Sequence, residues 1–213
     1  MPSALSFTIF SLGDSAIGID FGNLIDRSVH ERVMARDQYL KTCPIKGTTD
    51  IVSTYSSLTL YYDPVAFLPE INKGISVFEL LKSKLTTLAE QSHENIVLSE
   101  RTIKIPVCYE EDFAPDLKAM AAASGQKEEE IVALHTANIY YVYMLGFLPG
   151  FAYMGEVAEA IAMPRKQRPQ AIAAGSVGIA GRQTGVYPLA SPGGWQIIGR
   201  TPVSLFVKET GET

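Results

Sequence analysis

Scarcity comes first in this chain, and each shortage closes a route to function. Only two cysteines occur, Cys43 and Cys108, far apart and in unrelated settings, and the three histidines, His30, His93 and His135, are scattered. Zinc sites gather such ligands at short, regular spacings, so no metal centre is read here. The thiols are read as buried or incidental, with Cys43, ahead of Pro44 in an expected loop, the more exposed. Long apolar runs are missing too. None reaches the roughly eighteen residues of a membrane helix, and the start of the chain lacks the charged-then-apolar plan of a signal peptide. The expectation is a soluble, cytoplasmic protein without a membrane partner. Concentrated positive charge is also wanting: the net charge is −5, and the densest basic run, Arg165-Lys166-Gln167-Arg168, is short. Phosphate backbones need lysine and arginine gathered on one face, which argues against nucleic acid as a partner.

Self-sufficient catalytic sets are missing as well. There is no Gly-x-x-x-x-Gly-Lys-Ser/Thr phosphate loop and no Gly-x-Ser-x-Gly elbow. Gly175-Ser176-Val177-Gly178 offers a serine, but no histidine stands in a partner motif, and an ordinary turn serine is the favoured reading.

What is present begins with an ordinary globular composition. The chain has 213 residues, 46% of them apolar, which suits two domains of about a hundred residues each. Ser6 to Phe10 and Ala16 to Phe21 flank the turn Leu12-Gly13-Asp14-Ser15, and Ile17, Ile19 and Phe21 share a face, so a hairpin is expected. Asp26 is a plausible N-cap for a helix to about Leu40 with Ile25, Val29, Val33 and Leu40 on one stripe. Thr49–Thr54 and Ser57–Tyr62 read as strands, and Val77–Glu90 as a second helix carrying Val77, Leu81, Leu85 and Leu88. The order ββαββα gives an α+β sandwich over residues 1–93, with a linker near His93-Glu94-Asn95.

The second domain, 94–213, is expected to open with a strand through Ile103, Ile105 and Val107. Two short helices follow, one starting at Asp112-Phe113-Ala114-Pro115-Asp116 and stopped by Gly125, the other starting near Lys127. On the latter, Ile131, Leu134, His135 and Asn138 share a face. Ile139–Leu145, apolar on both faces, predicts a central strand. Ser204–Val207 would be the last strand.

Between them lies a stretch crowded with glycine and proline. It runs from Gly146-Phe147-Leu148-Pro149-Gly150-Phe151 through Ala174-Gly175-Ser176-Val177-Gly178-Ile179-Ala180-Gly181 to Ser191-Pro192-Gly193-Gly194-Trp195-Gln196. Such density is costly unless backbones approach closely or turns need positive φ, so brief strands joined by tight turns are expected. Its polar groups then become the candidate lining of a concave pocket. Arg182, Gln183 and Thr184 lie between glycines, where a guanidinium and an amide suit a carboxylate or phosphate. Ser191 and Arg200 join them, with Tyr187 and Trp195 as pocket wall or core. His135 is either a satisfied core histidine or a group looking into the pocket mouth. Phe147 and Phe151 are candidates for an apolar lip or a partner-docking knob, and Arg165 and Arg168 are read as solvated.

These segments, with Gly13-Asp14-Ser15-Ala16, Tyr62-Asp63-Pro64, Ile105-Pro106-Val107-Cys108-Tyr109 and Phe113-Ala114-Pro115-Asp116-Leu117, resemble one family over nearly the whole chain. It contains the B subunit of bacterial ATP-dependent 5-oxoprolinase, also called allophanate hydrolase subunit 1, together with an inhibitor of a sporulation histidine kinase and part of urea carboxylase. The resemblance implies that the second domain is a cyclophilin-like β-barrel. It also implies an ATP-using enzyme complex that opens 5-oxo-L-proline to L-glutamate, in which the chain works with a homologous C subunit and with an A subunit and is inactive alone. A regulatory protein docking on a histidine kinase, or an allophanate hydrolase or carboxyltransferase component, is the alternative. Three departures from the family's pattern stand out: Pro169-Gln170 where a second Pro-Arg is usual, Ile172-Ala173 where Val-Pro is, and Tyr109-Glu110-Glu111 where Tyr-Gly-Gly is. Family members also extend through a further strand, so an open edge awaiting a partner is a further expectation.

Overall fold

The computed structural model describes residues 7–71, 74–90 and 101–211. The chain divides into two compact units, 1–100 and 101–213. The expected linker at His93-Glu94-Asn95 lies outside the described residues.

The first unit follows its hydrophobic periods. Strands β1 (Thr8–Ser11) and β2 (Ala16–Asp20) form the hairpin. Helix α1 (Arg27–Thr42) starts where Asp26 takes extended backbone and its carboxylate accepts the Val29 N–H at 3.0 Å, satisfying one of the donors that every helix start leaves open. Strands β3 (Thr48–Ser53) and β4 (Ser57–Tyr62) and helix α2 (Val77–Glu90) complete the set. The sheet is antiparallel in the order β1-β2-β4-β3. Ile17 and Ile19 of β2 and Leu58, Leu60 and Tyr62 of β4 alternate onto one face and pack with Val29, Val33 and Leu40 of α1 and Leu81, Leu85 and Leu88 of α2. Each fully buried Leu or Ile there stabilises the fold by roughly 2 kcal/mol relative to exposure.

In the second unit the expected opening strand is not a ladder. Ile103 is exposed, and only Cys108 makes a bridge, to Arg200. Pro106 brings no N–H to a ladder, and the alternation of Ile103, Ile105 and Val107 is extended chain without a partner strand among the described residues. Helix α3 (Leu117–Ser124) begins after Asp116, leaving Pro115 ahead of the helix rather than in its first turn, and ends at Gly125 with φ +70. Helix α4 (Glu128–Thr136) starts with the Glu130 carboxylate accepting the Lys127 N–H at 2.7 Å.

Seven strands follow: β5 (Tyr141–Leu145), β6 (Ala152–Gly155), β7 (Gln170–Ile172), β8 (Ser176–Ala180), β9 (Gln183–Val186), β10 (Ser191–Gly193) and β11 (Gln196–Arg200). Their ladders make an antiparallel five-stranded sheet, order β11-β8-β9-β6-β5, and a two-stranded ribbon, β10-β7. Among the described residues no ladder closes the sheet into a ring, and Ser204–Val207 adds no strand to it. The run through Tyr141–Leu145, expected at the centre, stands at the sheet edge with Leu145 62% exposed and Val142 45%. An apolar run on both faces signals burial between neighbours, but only Tyr143 of this strand is buried.

One face of the large sheet, with Val177, Ile179, Val186 and Ile198, packs under Leu117 and Met120 of α3 and Ile131 of α4. The other gathers Phe151, Tyr187, Trp195 and Ile197, with Ile172 of the ribbon. The fold is α+β throughout.

A Cβ built on Gly175, which has φ +82, would run into the Thr201 carbonyl oxygen. Gly175 also donates to the Tyr187 carbonyl at 2.7 Å and accepts from the Thr201 N–H at 2.9 Å, so it has little room to move. Gly175→Ala is expected to cost about 2 kcal/mol or more, read as a lower urea midpoint with unchanged slope.

Candidate functional site

The candidate polar residues of the glycine-rich stretch do not converge on one hollow, because a strand sends neighbouring side chains to opposite faces. Thr184 pairs with Ile179 and points under the helices, where its Oγ1 lies 2.9 Å from Nε2 of His135. Gln183, next in line, pairs with Ala180, whose side chain belongs to the aromatic face.

His135 is buried on α4 and fully engaged. Thr184 Oγ1 donates its single proton to the Gly178 carbonyl at 3.1 Å, so it accepts from His135, which must carry its proton on Nε2. Nδ1 then accepts from the Tyr109 hydroxyl at 3.0 Å. Tyr140 donates to the His135 carbonyl at 2.7 Å. Burial pushes the Tyr109 and Tyr140 phenols up to about 12 and the His135 imidazole down to about 4. A neutral imidazole with both nitrogens occupied offers neither to a ligand. Of the two readings of His135, the geometry is that of the satisfied core histidine.

Arg182 sits in the turn between β8 and β9 and is held by two carboxylates, Glu156 at 2.8 Å and Glu159 at 3.3 Å. An anion approaching it meets those charges first. Arg200 donates from Nε to the Ala174 carbonyl at 2.9 Å at the end of the edge strand β11. Ser191 lies in the ribbon, opposite Ile172, with its Oγ buried and unpartnered.

Tyr187 and Trp195 are buried in the aromatic cluster. Phe151 stands edge-on to both, at 5.1 Å from Tyr187 and 5.4 Å from Trp195, and Tyr153 lies 5.9 Å from Trp195. Gly178 and Gly185 make room for them: a Cβ on Gly178 would come 3.0 Å from the Trp195 Cβ, and one on Gly185 3.0 Å from the Phe151 ring. Phe147, at φ +67, is exposed and meets Phe151 edge to face.

Arg165, expected to be solvated, is exposed, and its guanidinium stands over the Trp195 ring, 5.8 Å from the centroid. Its backbone neighbours are clamped. Gln196 donates from Nε2 to the Pro164 carbonyl at 2.9 Å, and Lys166 donates its N–H to the Gly194 carbonyl at 2.7 Å. The Lys166 ammonium binds Asp116 at 2.6 Å and Gln170 at 2.7 Å. Asp116 in turn accepts the Ile197 N–H at 2.6 Å. No local pattern announces a contact between residues thirty positions apart.

Among the described residues no group of His, Cys, Asp and Glu is placed to hold a metal ion, and no helix is long and apolar enough to cross a membrane. In the first unit a shallow hollow of about 380 Å³ lies between α1 and α2, lined by Tyr39, Cys43, Lys84 and Leu88 among others. None of the candidate residues faces it. Cys43 is exposed and Cys108 partly buried, both as free thiols.

Residues 7–213 match the family model of the carboxyltransferase domain, subdomain C and D. The chain is 43% identical over 202 residues to the 5-oxoprolinase B subunit of Bacillus subtilis (strain 168), covering 94% of this chain and 84% of the relative. It is 49% identical over 117 residues to that of Escherichia coli O157:H7, covering 54% of each. Among solved structures it resembles TTHA0988, with 34% identity and a TM-score of 0.72 over 90% of this chain and 36% of that one. The Kluyveromyces lactis urea carboxylase, at 19% identity and a TM-score of 0.75 over 94% of this chain and 20% of that one, shares the fold. The chain thus spans about half of the Escherichia coli relative and about a third of TTHA0988.

The His135 geometry has a pH consequence. The folded imidazole is depressed from its ordinary 6.5 to about 4 by burial, so on acidification the unfolded chain takes up the proton first. The stability this group confers is complete above about pH 6.5 and drains away as the pH falls toward 4, by on the order of 3 kcal/mol. His135→Gln is expected to be less stable at neutral pH and to lose that part of the acid slope, measured as urea midpoints between about pH 7 and pH 4.5.

Proposed function

The chain belongs to the family of the carboxyltransferase domain, subdomain C and D, together with the 5-oxoprolinase B subunits, and on that premise we propose that it is the B subunit of an ATP-dependent 5-oxoprolinase. In this reading it assembles in the cytoplasm with a homologous C subunit and with an A subunit, and the complex opens the lactam of 5-oxo-L-proline to L-glutamate. The observation that carries the proposal is 43% identity to a curated B subunit running through 94% of this chain, both units included.

The side chains support a dependent rather than a solitary role. Lactam hydrolysis needs an activated carbonyl, an oxyanion stabiliser and a means of moving protons. Here His135 has both nitrogens engaged, Ser176 is buried in β8, and Arg182 is already neutralised. Those functions fall to groups that a partner brings.

The same holds for ATP. A triphosphate favours helix N-termini with free backbone N–H groups and glycine-rich approach loops. In this chain α1 starts at Asp26, α2 has Glu79 in its first turn, α3 starts at Asp116 and α4 has Glu128, Glu129 and Glu130 in its first turn. Carboxylates at these positions disfavour phosphate, so none of these helix starts suits the triphosphate.

Co-expression with candidate C and A subunits tests the proposal. A stable assembly is expected to hydrolyse ATP only when 5-oxo-L-proline is present and to release L-glutamate, with no turnover by this chain alone. A stable three-chain complex without that turnover would overturn the reading.

A further inference from the structure

We propose that Arg165, poised over Trp195 on the aromatic face of the large sheet, forms a carboxylate-binding subsite, and that the carboxylate it takes is that of 5-oxo-L-proline. The second half rests on the 5-oxoprolinase reading. The first half rests on the geometry of the second unit alone.

The cations around this face are in different states. Arg182 is held by Glu156 and Glu159, Lys166 by Asp116 and Gln170, and Arg200 turns its Nε to the Ala174 carbonyl. Arg165 has no carboxylate or carbonyl against its guanidinium among the described residues; its contact is the indole face. Yet the chain on either side of it is fixed, by Gln196 on Pro164, by Gly194 on the Lys166 N–H, and by the paired bridge between Met163 and Gly181. An exposed cation on anchored backbone, standing over a buried ring with its forked donors open among the described residues, has its backbone already placed before any ligand arrives. Such a group binds with less ordering to do.

The surroundings select the anion. Guanidinium presents parallel N–H donors that match a carboxylate two to two. Beneath it the Trp195 ring is buried, and the half-buried Tyr153 beside that ring offers the flat apolar surface that a small planar ring meets. The Arg165 charge reaches the Tyr153 and Tyr187 phenols, where burial raises their pKa and Arg165 works against that rise. Both phenols therefore remain proton donors at neutral pH. Ser191 adds an independent sign. Its hydroxyl is buried without a partner among the described residues, on the ribbon that covers this face, a cost seldom left standing unless a ligand meets it. One guanidinium on an aromatic floor suits a flat monoanion such as a lactam carboxylate; a polyphosphate calls for several donors.

Trp195 is the single tryptophan of the chain, so its fluorescence reports on the subsite directly. The chain, and the assembled complex, would be titrated with 5-oxo-L-proline and with 2-pyrrolidinone, the same ring without the carboxylate. The expected result is a saturable change with the acid and none with the neutral lactam. Arg165→Gln should weaken the acid's affinity at least about tenfold with an unchanged circular dichroism spectrum, and Arg165→Lys should recover part of it. An equal response to both compounds, a titration of Arg165→Gln that matches the wild type, or no saturable response in either chain or complex overturns the subsite. In the complex the same variant should raise KM for 5-oxo-L-proline by about tenfold with kcat less affected. Turnover with unaltered KM would leave the enzyme reading standing and remove the subsite. Arg165-dependent binding of another small carboxylic acid, in a complex that does not turn over 5-oxo-L-proline, would remove the enzyme reading and the ligand named here.

Discussion

Aromatic rings resting on bare backbone hold the second unit together. Gly178 and Gly185 lie in adjacent strands of the large sheet, and Trp195 and Phe151 sit where their side chains would be. Gly193, on the ribbon, leaves the same kind of space for Tyr187 and Ile172. The four rings of Phe151, Tyr153, Tyr187 and Trp195 then meet at 4.7 to 6.4 Å, mostly edge-on, an arrangement that adds roughly 0.5 to 1.5 kcal/mol per pair to what area burial supplies. The backbone entropy lost at each glycine is offset by this packing. With that face given over to rings, the polar side chains are displaced to the turns and to the helix-covered side.

How far the sequence could be read depended on how local the signal was. Helix α2 has its bounds where the spacing of Val77, Leu81, Leu85 and Leu88 predicts, because a repeat of three and four is a property of neighbours. The Asp26 cap and the Gly125 stop are equally local. Position within a sheet is not. Tyr141–Leu145 has the composition of a buried strand, yet strand order is decided by pairing between distant segments, and this one is paired by β6 on one side only among the described residues. Likewise Ile103, Ile105 and Val107 alternate correctly but find no ladder among the described residues.

The candidate site was half legible for the same reason. The polar residues of the glycine-rich stretch were identifiable as a set, but a shared pocket would require them to lie on one surface. A period of two divides them: Thr184 goes inward to His135, while Gln183 starts its strand beside Arg182 in the turn. Arg165 was visible only as part of a basic run, since its meaning depends on Trp195. Family membership, by contrast, could be read without geometry, because it is carried by long unbroken motifs that the matched region of 7–213 includes.

The hydrogen bonds through His135 run in a single direction. Tyr109 gives its proton to the imidazole, the imidazole gives its own to Thr184, and Thr184 gives to the Gly178 carbonyl. A ring proton held inside such a sequence exchanges slowly with bulk water. It should therefore give its own sharp downfield line in a proton magnetic resonance spectrum, a natural gauge of whether helix α4 is seated on the sheet.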